Sequence, residues 1–186
     1  MNWCDPGAHQ PGSHQEERGF AAVDVHYLGD LGARAALVTS PDPTFSTVAG
    51  CKTALVPDPG PYRSGEFYLR ELPPLRAVLE GQAGLALIVV DGYVDLDPHG
   101  MPGLGAYVHA EFGAPVIGVA KTRFATATHA AQVRRGRSDR PLYITAAGLA
   151  IAEAARMVSE MAGAFRIPDA LRDVDRLARG ISATTA

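Results

Sequence analysis

Three carboxylates sit where a carboxylate is costly or conspicuous. Asp24 interrupts the apolar run Phe20–Leu28, Glu71 precedes the pair Pro73-Pro74, and Asp91 ends the run Ala86–Asp91 ahead of Gly92. A charge inside a buried strand is expensive unless it is paired or bound to a metal. Three acids brought together cannot all stay ionised unless cations compensate them. Mg²⁺ and Mn²⁺ prefer oxygen ligands and keep open water positions, so they are the natural compensating ions. Paired divalent ions held by carboxylates favour phosphodiester hydrolysis. Plainer readings stand beside this one. Asp24 and His26 could face water from an edge strand, and Asp91-Gly92 could simply make a turn. With 20 acids in the chain, spacing alone does not choose between them.

The surrounding elements decide whether these side chains can meet. ALIVVD at 86–91 is a continuous apolar run, the pattern of a strand buried on both faces of a helix-covered sheet, and open α/β sheets place their chemistry at such strand ends. Phe20–Leu28 and Ala33–Thr39, joined by Gly29-Asp30-Leu31-Gly32, read as a hairpin, and Thr44–Val56 as a third strand bent at Gly50. Glu66–Glu80 has helical spacing, with both prolines suited to its first turn and Glu71 at its entrance. A short helix over Gly103–Phe112 and a buried strand over Ala114–Ala120 follow. The stretch Thr122–Arg140 reads as irregular, then come a strand at Pro141–Thr145 and a helix over Ala147–Ala162. The last helix opens at Pro168 and stops at Gly180, burying Leu171, Val174 and Ala178. Strands in a meander, then strands alternating with helices, describe an α/β fold with a mixed central sheet.

The 186 residues suit one domain: a tail at 1–19, a globular unit at 20–180 and a short tail at 181–186. Composition is ordinary for a globular protein, 47% hydrophobic and 20% charged. A net charge of −3 advertises no nucleic-acid partner globally, but Lys121, Arg123, Arg134, Arg135, Arg137 and Arg140 cluster. Cys4 and Cys51 form no framework and read as free thiols of a reducing compartment. The polar N-terminus lacks the apolar segment of a signal peptide, and no run approaches the ~20 residues that span a bilayer. The expectation is a cytoplasmic monomer with no membrane contact.

Five segments in order carry a resemblance: VDVHY at 23–27, PYRSG…LRELP at 61–73, VVDG at 89–92, GVAKT at 118–122 and RIPDALRDVDRLARG at 166–180. Together they resemble the endonuclease V family from about Phe20 to Gly180. The resemblance implies an RNase H-like fold and Mg²⁺-dependent cleavage of nucleic acid near a deaminated adenine, deoxyinosine in DNA or inosine in RNA, with DNA ahead of RNA and Mn²⁺ able to substitute. It implies that Asp24 and Asp91 are the principal metal ligands, that Glu71 is the third carboxylate, and that Asp175 adds a metal-site residue from the last helix. Asp175 could equally pair with Arg172 or Arg179 at helical spacing. Lys121 would bind the scissile phosphate, where a cation neutralises charge developing on a non-bridging oxygen. Tyr62 lies in what resembles the family's proline-stiffened wedge, and the displaced base would meet backbone near Gly65 and Gly92.

The chain departs from the family at Ser64, Tyr93, Val94, Asp97-Pro98, Ala106-Tyr107 and Ala146-Ala147-Gly148, and the segment after Lys121 is about half the family's length. These changes spare the acids and alter the base pocket and one flank of the nucleic-acid groove. A non-catalytic nucleic-acid-binding relative, or an RNase H-like phosphodiesterase with another substrate, are the alternatives. His26, two residues after Asp24, shares its strand face and is a lesser candidate.

Overall fold

The computed structural model describes residues 19–60, 68–82 and 84–181. Seven strands form one sheet: β1 (Phe20–Tyr27), β2 (Ala33–Ser40), β3 (Gly50–Val56), β4 (Leu87–Asp91), β5 (Val116–Ala120), β6 (Ala131–Val133) and β7 (Leu142–Ala147). Their order is β3-β2-β1-β4-β5-β7-β6. β1, β4 and β5 run parallel at the centre, and the flanking pairs are antiparallel. The helices are α1 (Tyr68–Leu79), α2 (Leu104–Phe112), α3 (Ile151–Glu160) and α4 (Asp169–Ala178). This is the mixed α/β, RNase H-like architecture expected.

Strand alternation sorts the core into two layers. Ala21, Val23, Ile88 and Val90 pack with Leu75, Val78 and Leu79 of α1 and Val108 of α2. Ala22, Leu87, Val89, Ile117 and Val119 pack with Ala154 and Val158 of α3 and Leu171, Val174 and Ala178 of α4. Helices on both faces explain why β4 is apolar without alternation. β1 is an interior strand, so Asp24 is not an edge residue.

Several expectations need correction. The third strand begins only at Gly50, because the Asp42 carboxylate accepts hydrogen bonds from the Thr44 N–H (2.9 Å), the Thr44 hydroxyl and the Ser46 hydroxyl (2.9 Å), winding 42–46 into a turn. Pro73 and Pro74 fall at the sixth and seventh positions of α1, not in its first turn. A full turn precedes the prolines because that turn is docked: Tyr68 stacks on Tyr107 with ring centroids 3.6 Å apart, and the Arg70 guanidinium lies 4.4 Å above the Tyr27 ring. Glu71 is therefore inside the first turn. The stretch read as irregular after Lys121 contains β6. Cys51 is disulfide-bonded rather than a free thiol, while the expectation for Cys4 falls outside the described residues. Among the described residues no helix is long and apolar enough to cross a membrane.

Candidate active site

Register brings the first two acids together. β1 and β4 pair in parallel as far as Val23 opposite Val90, so Asp24 and Asp91 are each the next residue on neighbouring strands. Both continue the side-chain face of Ala22 and Val89, towards α4. Asp91 pairs with Val119 of β5, and Lys121, two residues further, returns to that same face. The Lys121 ammonium forms an ion pair with the Asp91 carboxylate. Glu71 arrives from the first turn of α1, and Asp24, Glu71 and Asp91 line one pocket of about 10 Å³, closed by Val23, Val90, Leu75 and Leu104. That is roughly the room of a single water.

The electrostatics carry the mark of crowded acids. Burial, and then the Asp91 charge, push the Asp24 carboxyl up to about 7, against the pull of the Val25 N–H bond (2.8 Å) and Lys121. Burial, and then Asp24 and Asp91, push Glu71 up to about 8. Burial disfavours the charged form of Lys121, yet its bond to Asp91 and the charges of Asp24 and Asp175 outweigh it and raise its pKa. Asp175 on α4 stands close enough to add to the negative field at Asp24, but its carboxylate is held by the Arg179 guanidinium at 3.0 Å through both oxygens. The salt-bridge alternative for Asp175 is thus what the structure displays. His26 is half-buried opposite Arg34. Among the described residues no three acids, histidines or cysteines stand ready-arranged around a metal position. Asp91 and Asp175 are instead turned onto cations of the chain itself.

The donor set nevertheless fits a hard divalent cation. It is all carboxylate oxygen, it converges on one pocket, and two of its members are held towards protonation by burial and then by neighbouring acids, a cost that a cation would relieve.

The loop after Asp91 is locked by contacts that the sequence did not announce, two of them made by Tyr93 and Val94. The Val94 N–H donates to the buried Thr145 hydroxyl (2.7 Å), which lies opposite Gly118 on the paired strands β5 and β7. A Cβ at Gly118 would come within 2.8 Å of the Gly92 carbonyl, the Val94 nitrogen and the Thr145 hydroxyl. Gly118 is thus required for this close approach. Gly92 itself has φ +143°, which favours glycine, and the space beside it is open. The Tyr93 hydroxyl donates to the Thr122 carbonyl (2.8 Å) and accepts from the Phe124 N–H (2.9 Å), tying the Asp91 loop to the Lys121 loop. Arg166 holds that second loop from α4's side, donating to the carbonyls of Lys121 and of Pro141 (2.8 Å). The only hint of its role was its place at the head of the motif RIPDALRDVDRLARG. Asp97 is taken up by its own turn, accepting from the N–H groups of His99 (2.9 Å) and Met101 (3.0 Å). Tyr62 and Gly65 lie outside the described residues.

A strand-end acid pair with a lysine across it on an RNase H-like sheet is a nuclease-like arrangement, and the sequence comparison decides the lineage. The family model for endonuclease V matches residues 8–176. The chain belongs to the endonuclease V family. An endonuclease V of Ignicoccus hospitalis is 27% identical over 177 residues, covering 86% of this chain and 81% of that protein. Among solved structures, the endonuclease V of Streptomyces avermitilis superposes with a TM-score of 0.71 at 25% identity, over 87% of this chain and 80% of that one. The endonuclease V of Ciona intestinalis, solved with a 24mer DNA containing an inosine followed by a ribo-adenosine, gives 0.72 at 17% identity, over 88% and 84%. Membership in the endonuclease V family makes this chain one of a family of nucleic-acid-cleaving hydrolases.

Proposed function

We propose that this protein is a Mg²⁺-dependent endonuclease, with Mn²⁺ able to substitute, that hydrolyses a phosphodiester bond near a deaminated base, deoxyinosine in DNA or inosine in RNA. The observation that carries the reading is the adjacency of Asp24 and Asp91 on one face of neighbouring strands, with Glu71 lining the same pocket. A mere binder gains nothing from so costly a cluster.

Asp24, Asp91 and Glu71 would hold the cation, with Asp175 available from α4. When bound, a divalent cation supplies Lewis-acid polarisation of the phosphate. Lys121, anchored by the Asp91 carboxylate and by the grip of Arg166 on its carbonyl, presents its remaining N–H donors to a non-bridging phosphate oxygen. Water attacks phosphorus in line, the bond to the 3′ oxygen breaks, and the products carry a 3′-hydroxyl and a 5′-phosphate. Gly92, open and without a side chain, leaves room beside the scissile group for the displaced base. Tyr62 is proposed for the wedge that displaces it, and Gly65 with Gly92 for the backbone that the displaced base meets. The residues 20–180 are proposed as the catalytic unit, acting as a monomer in the cytoplasm.

Cleavage of inosine-containing, mismatched and plain oligonucleotides, each with Mg²⁺ and with Mn²⁺, tests the reading. Preference for the inosine strand, lost in Asp91→Ala, is expected. Equal cleavage of all three would point to a phosphodiesterase of other specificity, and binding without cleavage to a non-catalytic relative.

A further inference from the structure

An open groove of about 800 Å³, linked to the Lys121 backbone by the hydrogen bond from Arg166, is lined by Arg137, Arg166 and Arg172 together with Phe165. Arg172 also pairs with the Asp169 carboxylate (3.1 Å). Phe165 is 61% exposed even with the Arg172 guanidinium 4.7 Å from its ring centre. The ring thus carries one guanidinium and leaves most of its remaining surface in water beside the other arginines.

The groove is built rather than incidental. Arg135, 7% exposed, donates to the carbonyls of Met161, Gly163 (3.1 Å) and Phe165 (3.5 Å), clamping the segment between α3 and α4 from within. Gly136 adopts φ +60° so closely packed that a Cβ would fall 2.6 Å from the Ala164 carbonyl. One hydrogen bond and one helix turn connect this wall to the site. Arg166 grips the backbone of Lys121, and Arg172 precedes Asp175 by one turn of α4.

We propose that this groove binds an unpaired nucleic-acid strand flanking the cleaved phosphodiester, with phosphates on Arg137 and Arg172 and a base stacked on Phe165. The proposal rests on the nuclease reading for the identity of its ligand. Guanidinium groups suit phosphate through paired N–H donors, and aromatic platforms accept any base because every base has a π-face. An acidic protein would use the arginines and leave the ring idle, so the aromatic favours nucleic acid. The ring also favours an unpaired strand, since a base within a duplex is already stacked.

Fluorescence anisotropy in EDTA, on the full chain with labelled single strands on the order of 20 nucleotides, tests this without requiring cleavage. Phe165→Ala is expected to weaken single-strand binding about tenfold. Arg137→Gln is expected to reduce the slope of log affinity against log salt by about 0.7. A fully paired duplex should lose less than the single strand in Phe165→Ala. Both replaced residues are exposed, so folding is not at stake. With the wild-type chain, photocrosslinking to an iodouracil strand is expected to label the peptide holding Phe165. Unchanged affinity and slope in both variants, an equal loss on duplex, labelling only elsewhere, or displacement by polyglutamate as effective as by unlabelled strand would each overturn the proposal. Failure of the wild type to cleave any oligonucleotide would sink the nuclease reading while leaving these binding readouts intact.

Discussion

The acid cluster and the arginine-lined groove are built in opposite ways. At one end Asp24 and Asp91 lie on two adjacent parallel strands and Lys121 directly follows the third, all placed by register and half-buried. At the other, Arg137, Phe165 and Arg172 stand on loop and helix surface, placed by a buried arginine that binds backbone carbonyls. Strand register tolerates no slip without turning every side chain over, so it suits chemistry that fails when misplaced by an ångström. Loop surface tolerates change, so it suits contacts that tune affinity and length of engagement. Replacements at the strand end should therefore abolish turnover, and those at the groove should shift binding.

The sharpest break is Asp91→Ala, expected to reduce cleavage about a thousandfold or more, since metal-borne stabilisation is worth several kcal/mol. Asp24→Asn separates function from stability. It should also abolish cleavage, but at pH 8 in EDTA it should raise the melting temperature. The native carboxylate is then ionised against burial and against the charge of Asp91. The gain should be about 2–4 °C for each kcal/mol relieved. Calorimetry at pH 3 should show no such gain, because the carboxyl is then protonated in the folded and the unfolded chain alike. A loss of stability at pH 8 would mean that Asp24 is not under charge strain.

Next in size is Lys121→Met, expected to slow cleavage about a hundredfold through loss of a phosphate donor. The same variant frees the Asp91 carboxylate from its internal cation. Thermal shift with millimolar Mg²⁺ should accordingly be at least as large as in the wild type. A smaller shift would show that the lysine assists the metal rather than competing with it.

How far these ends could be read beforehand follows from the same contrast. The strand end was legible because burial on both faces leaves an unbroken apolar run, and an acid inside or closing such a run stands out, as Asp24 and Asp91 do. Helix α4 was legible from its proline start, its glycine stop at φ +74°, and Leu171, Val174 and Ala178. The strand expected from Thr44 failed because one carboxylate, Asp42, outbid β-propensity with local hydrogen bonds. The placing of Pro73 and Pro74 in the first turn of α1 failed because the Tyr68–Tyr107 and Arg70–Tyr27 contacts are long-range and leave no local trace. The groove was half visible: Lys121–Arg140 looked basic, but Arg166 and Arg172 come from another stretch of chain. Arg135, counted with the basic cluster, is spent on carbonyls inside the protein.

A smaller effect sits in the loop that joins the acids to the sheet. Gly118→Ala must push apart three backbone and hydroxyl groups that leave a Cβ only 2.8 Å. Overpacking of this kind costs about 1–3 kcal/mol. The expected outcome is a melting temperature several degrees lower, with cleavage reduced by more than the stability loss explains. An unchanged rate at a temperature where the variant is folded would show that the Asp91–Val94 loop can shift without moving the acid.

The pH dependence of stability is the most discriminating test, because only the acid cluster should show it. Asp24 and Glu71 have folded-state values near 7 and 8, raised above their ordinary carboxylate range by burial and by neighbouring acids. A raised acid binds its proton more tightly in the folded than in the unfolded chain. Its stabilising contribution is complete below about pH 4 and is lost as pH climbs through the folded values. Asp95 and Asp173, also raised by burial, act with the same sign. The metal-free protein should thus lose melting temperature between about pH 4 and 8 and level off above. Millimolar Mg²⁺ should flatten that decline, because a bound cation offsets the ionised acids and stabilises only the folded state. The paired variant Asp24→Asn with Glu71→Gln should flatten it without metal. Arg137→Gln should leave it as steep as in the wild type, since a guanidinium carries its charge throughout this range. A slope that follows Arg137 instead would place the titrating strain at the groove and remove the case for crowded acids at the strand ends.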